Sequence, residues 1–156
     1  MAIAPNTTFV AGNIFTAAQA NAFPRGVMGN VTRTAGNFTM STTTADITGM
    51  TVTWTAFANR TYKFTWTVTG FKQTAEGWAA VYLAETGNTV YGSVYATPRI
   101  VGTEGYFNLS GIAYKSDLGA GTQTFKLRAQ LENASGTILA SGTNPCFLMV
   151  EDLGPS

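Results

Sequence analysis

"TYKFTWTVTGF", residues 61–71, alternates strictly. Tyr62, Phe64, Trp66 and Val68 fall on one face, and Lys63, Thr65, Thr67 and Thr69 on the other. A repeat of two is that of a β-strand with one dry and one wet face. At about 2 kcal/mol per large apolar side chain buried, the dry face contributes on the order of 8 kcal/mol before conformational entropy is set against it. This strand is expected to anchor the core.

The same period recurs on either side. "TFKLRAQLE", residues 124–132, sends Phe125, Leu127, Ala129 and Leu131 inward, with Lys126, Arg128 and Gln130 outward. "MTVTW", residues 50–54, adds Met50, Val52 and Trp54. Half-wet strands of this kind belong to antiparallel sheets. Turn chemistry separates the runs at Gly49, residues 57–60 (FANR), 75–77 (AEG), 86–88 (TGN), 102–105 (GTEG), 118–121 (LGAG), 133–136 (NASG) and 142–145 (GTNP). No helix-length segment lies between them. The expectation is an all-β chain with nine or ten short strands in an antiparallel β-sandwich of jelly-roll type, spanning residues 26–156.

Residues 1–25 form an arm with one short helix. In "FTAAQANAFPRGVMGN", residues 15–30, Thr16 and Gln19 have capping-box spacing, Ala17 to Ala22 are mostly helix formers, and Pro24 followed by Gly26 ends the run. Two turns at most are not stable alone, so the sandwich or a neighbouring molecule must hold them. Ile14, Phe15 and Phe23 flank the helix, and with Pro24 and Arg25 they are the candidate docking residues. If the first and last strands pair antiparallel, Arg25 meets Glu151 or Asp152.

Composition limits the chemistry. The 156 residues are 45% hydrophobic but only 11% charged, with a net charge of +1 and no histidine. Scattered Lys and Arg supply no patch for nucleic acid. Without histidine the commonest base and metal ligand are missing. Cys146 lies in the apolar run CFLMV and reads as a buried small hydrophobe. Adjacent Glu151 and Asp152 point to opposite faces of a strand and cannot act as a pair. Asp46 with Asp117 is the remaining carboxylate pair to consider, and Asp117 alone falls far short of a calcium site. No catalytic residue, cofactor site or metal site is expected.

The N-terminus has no basic region followed by an apolar run, so no signal peptide is expected, and no run is long enough to span a membrane. Six Asn-x-Ser/Thr sequences, beginning at Asn6, Asn30, Asn37, Asn59, Asn108 and Asn133, follow from a Thr- and Asn-rich composition. Trp54 and Trp66 read as core. Tyr91, Tyr95, Tyr106 and Tyr114 stand among small residues and are the candidate ligand-facing aromatics, suited to stacking on sugar rings or to a subunit partner.

Three stretches carry a resemblance. "TFVAGNIFTAAQANAFPRGVMG" at residues 8–29, "TGMTVTWTAFANRTYKFTWT" at 48–67 and "FLMVEDLGPS" at 147–156 resemble small tail-associated proteins of bacteriophages, particularly phages of actinobacteria. Asn59 stands where that family usually has Gly, and Phe15 where an aliphatic residue is commoner. The resemblance implies a β-sandwich on the outside of a virion, usually a homotrimer, of the minor tail or fibre kind.

The leading expectation is therefore a virion structural protein assembled in the host cytoplasm. Its expected partners are itself, other virion proteins and a host cell-surface glycan. A capsid decoration protein or a carbohydrate-binding module are the alternatives, and an enzyme is disfavoured by the chemistry above.

Overall fold

A computed structural model describes residues 14, 16–21, 23–96, 106–133 and 135–156. A short helix α1 (Ala17–Asn21) precedes ten strands: β1 (Gly26–Arg33), β2 (Asn37–Met40), β3 (Ala45–Ala56), β4 (Arg60–Gln73), β5 (Ala79–Glu85), β6 (Val90–Ala96), β7 (Phe107–Lys115), β8 (Gly121–Leu131), β9 (Gly136–Leu139) and β10 (Cys146–Pro155). All pairings are antiparallel. The fold is the expected sandwich.

The longest strand, β4, contains the stretch quoted above. β10 and then β9 follow one another along one side of it, and β7 runs along the other. β1 lies outside β10, and β2 outside β9, which completes a six-stranded sheet. The second sheet has the order β3-β8-β5-β6. β1 packs across onto β3 and β6 onto β7, so the two layers close at both edges.

Between them lie Tyr62, Phe64, Trp66 and Val68 of β4, Phe125, Leu127, Ala129 and Leu131 of β8, and Met50, Val52 and Trp54 of β3, all buried. The aromatic centre is tightly packed. The Phe64 and Phe125 ring centroids are 4.7 Å apart, and Trp54 meets Phe64 edge-on at 5.6 Å. Cys146 is a buried free thiol, as its apolar run implied.

Two local readings change. Thr69, expected on the wet face, is buried and donates its hydroxyl to the Asn144 carbonyl at 2.7 Å. The cause is an irregularity at Gly70, which has φ of +64°, and where a Cβ would meet the Leu139 carbonyl oxygen at 2.4 Å. Gly49, expected as a turn, lies inside β3. Its positive φ shifts the register against β8 between Asp46 and Thr51 instead of reversing the chain.

The shifted segment ends at Asp46, which accepts hydrogen bonds from Lys126 Nζ at 2.7 Å and Arg128 Nε at 2.9 Å. The Lys126 hydrogen bond, more than Arg128, holds this carboxyl below its ordinary pKa. A depressed folded-state pKa contributes stability that is present above the unfolded pKa and lost as pH falls through the folded one. The site is half exposed, so Asp46→Asn is expected to lower stability at neutral pH by under about 1 kcal/mol. Urea unfolding at pH 7 and near pH 2.5 checks this: the deficit should shrink at the acid end, and an equal deficit at both contradicts it.

Candidate functional site

The N-terminal arm meets the sandwich at one buried charge. The capping box forms as spaced: Thr16 N donates to Gln19 Oε1 at 2.8 Å, and Gln19 N to Thr16 Oγ1 at 3.2 Å. That caps the beginning of α1, while the carbonyls at its end need donors from elsewhere. Arg60, at the start of β4, supplies them. Its guanidinium donates to the Asn21 carbonyl and the Phe23 carbonyl at 2.5 Å each, and its Nε to Asp152 Oδ2 at 2.5 Å.

A planar fork with donors on three nitrogens fits three acceptors held in different directions, which an ammonium on a flexible stem does not do as well. Arg60 and Asp152 are both buried. The other oxygen of Asp152 accepts from Gly154 N at 2.8 Å.

The expected pairing of the first and last strands is present, with Gly26 opposite Asp152. Arg25 comes within 3.9 Å of Asp152 Oδ2, an ion-pair contact but longer than a hydrogen bond. Its guanidinium instead covers the Phe57 ring, 3.8 Å from the centroid. Glu151 faces the other way and pairs with Lys63 at 3.0 Å. The turn between β3 and β4 closes the junction. Asn59 adopts φ of +58°, a conformation open to Asn as well as Gly, and its carbonyl accepts from Ser156 N at 3.0 Å.

Of the candidate docking residues, Ile14 is 88% exposed and Phe23 39% exposed, Pro24 and Arg25 are also exposed, and Phe15 lies outside the described residues. Polar contacts to Arg60 fix the exit of the arm while the Ile14 side chain remains open to solvent.

The candidate aromatics divide. Tyr91 is half-buried, donates to Glu85 Oε2 at 3.0 Å and lies under Lys115 Nζ, 4.3 Å from its ring centroid. Burial, and then the Glu85 hydrogen bond, push the pKa of its hydroxyl up. The Tyr95 side chain lies outside the described residues.

Tyr114 is 62% exposed on the outer face of the six-stranded sheet, near Ile112 at 58%. Cross-strand register sets Met149, Thr65 and Ile112 in one row of that face, Phe147, Thr67 and Ser110 in the next, and Glu151, Lys63 and Tyr114 beyond. The result is a broad face carrying one internally paired ion pair.

Tyr106, 58% exposed, borders a cleft of about 420 Å³ at the Gly70 irregularity. Gly70, Asn108, Leu139, Ser141 and Asn144 complete most of its lining. Sequence reading picked out Tyr106 but missed Arg60 and the two asparagines, which only the register of distant strands and loops brings into place. Asp46 and Asp117 are paired with cations, Asp117 with Lys115 at 2.6 Å.

No protein-family model matches the chain, and no curated protein sequence matches it. Among solved structures it is similar to the Eiger TNF of S. frugiperda, with a TM-score of 0.55 at 9% identity over 85% of this chain and 96% of that one. It is also similar to the tripod protein (BppUct-A-L) from the baseplate of bacteriophage Tuc2009, at TM-score 0.43 and 16% identity over 97% and 79%. A third is the carbohydrate-binding module CBM6cm-2 of Cellvibrio mixtus lichenase 5A, at TM-score 0.39 and 12% identity over 85% and 92%. At these identities the likeness is one of fold. The class defined is an antiparallel β-sandwich of jelly-roll type with a short, clamped N-terminal helix.

Proposed function

We propose that this chain is a structural protein of a bacteriophage virion, displayed outside the particle as a tail fibre or minor tail protein and docked through its N-terminal arm. It works as a homotrimer, with no catalytic role. The observation that carries this reading is the clamp: Arg60 fixes where the arm leaves the sandwich, and Ile14 stays exposed beside it. An arm that served only its own domain would put its large apolar side chains against that domain.

Self-association is supported by the outer face of the six-stranded sheet. Ile112 and Tyr114 are exposed there, and Lys63 and Glu151 neutralise one another, so a second copy meets apolar surface without charge repulsion. The sequence resemblance to tail-associated proteins supports the same reading.

Removal of residues 1–15 spares Thr16, Asn21, Phe23 and the clamp. The truncated protein is expected to keep its thermal midpoint and lose incorporation into particles. Unchanged incorporation would remove the docking role. Sedimentation of the purified full chain as a monomer at micromolar concentration would remove the trimer. A few trimers per particle fit a tail position, whereas hundreds of copies would move the protein to the capsid shell.

A further inference from the structure

We propose that the cleft beside Tyr106 is a saccharide site that takes a short pyranose oligomer. The inference goes beyond particle assembly and does not depend on it. The cleft volume of about 420 Å³ lies within the range of small-molecule sites. Its chemistry is specific. Tyr106 offers an exposed aromatic ring, and the C–H face of a pyranose is apolar and flat enough to stack on one.

Around the ring stand neutral groups that can both donate and accept, which suits a ligand made of hydroxyls. Asn108 accepts from Gly70 N through Oδ1 at 3.2 Å, leaving its Nδ2 with no hydrogen bond among the described residues. The side-chain amide of Asn144 makes none among them either, because the hydrogen bonds of that residue run through its main chain. Ser141 Oγ completes the set.

The backbone supports these groups. Asn144 is tied to Ser141 by N–H donation to Oγ at 3.0 Å, and its carbonyl accepts from buried Thr69. Asn108 is tied to the Gly70 irregularity of β4. Strand β7 and the loop before β10 therefore present the amides from a fixed frame, which limits the ordering cost of binding.

Among the described residues the lining carries no charged side chain: Lys72 stands outside it, with its Nζ over the Tyr106 ring at 5.6 Å from the centroid. A lining without lysine or arginine argues against a phosphate ligand.

The test uses the ¹⁵N-labelled full chain titrated with trigalacturonate, with its methyl ester and with maltotriose, each to about 10 mM. At least one of the three is expected to shift the side-chain amide signals of Asn108 and Asn144. Tyr106→Ala should weaken that binding at least about five-fold. Tyr106 is exposed, so its replacement leaves the fold in place, as the remaining amide spectrum will report.

No shift at either asparagine with any of the three saccharides overturns the proposal, as does binding indifferent to Tyr106→Ala. A protein that fails to enter particles would give the same titrations, so the two proposals fail separately.

Discussion

Arg60→Ala is expected to destabilise the fold by roughly 3 kcal/mol, the low end of the cost of removing one partner of a buried ion pair. Asp152 is 1% exposed and, among the described residues, would keep the Gly154 amide as a hydrogen-bond donor and the more distant Arg25 at 3.9 Å as its cation. The carbonyls of Asn21 and Phe23 lose their donors in the same step. Arg60→Lys keeps the charge but cannot reach three acceptors from one plane, so an intermediate loss is expected. The double change Arg60→Met with Asp152→Leu removes both charges together, and should cost less than the sum of the single changes.

Urea unfolding measures the stabilities, and protease cleavage within α1 measures release of the arm. A loss below about 1 kcal/mol for Arg60→Ala would mean that the ion pair is not what holds the junction.

Much of this junction is visible in the sequence once the phase of the strands is followed to their ends. Arg60, Tyr62, Phe64 and Trp66 share the inward phase of β4, and Leu148, Val150 and Asp152 share that of β10. Two opposite charges in the dry phase of two strands can be tolerated only if the strands are neighbours, because each charge alone is costly to bury. The reading of Arg25 as the partner of Glu151 or Asp152 chose the residue next to the first strand over the residue in the buried phase. Arg25 is the secondary contact at 3.9 Å, and Arg60 is the primary one.

The capping box and the core faces were legible because they depend on spacing within one element. Gly49 and Gly70 were not, since a glycine of positive φ serves a turn and a bulge equally well. The Tyr106 cleft was legible only in its aromatic. Asn108 and Asn144 reach it from β7 and from the loop before β10, and no local pattern links those segments.

Gly111→Ala is expected to cost about 3 kcal/mol, at the upper end of what overpacking by one methyl group does. A Cβ at Gly111 would lie 2.2 Å from Trp66 Cζ2, 2.5 Å from its Cε2 and 2.6 Å from Val94 Cγ2. No carbon pair tolerates such distances, so either the indole or the strand must move. Trp66 is 1% exposed and hemmed in. At the next atom of the same ring a Cβ at Gly92 would come within 3.0 Å of Cη2, and within 2.9 Å of the Ala113 Cβ.

Gly92 and Gly111 come from different sheets, on β6 and β7, and together they leave room for the ring where the two layers close at that edge. The cost is steric rather than conformational, because Gly111 does not have positive φ. Trp66→Phe shortens the ring and removes the atoms that a methyl group at residue 111 would strike. It also removes an indole N–H that is buried without a hydrogen bond, which offsets part of its own cost. In the Trp66→Phe background, Gly111→Ala should therefore cost under about 1 kcal/mol, a coupling of about 2 kcal/mol in a double-mutant cycle. Equal costs in the two backgrounds would show that Gly111 is needed for its backbone and not for the space it leaves, and would separate the closure of this edge from the placement of Trp66.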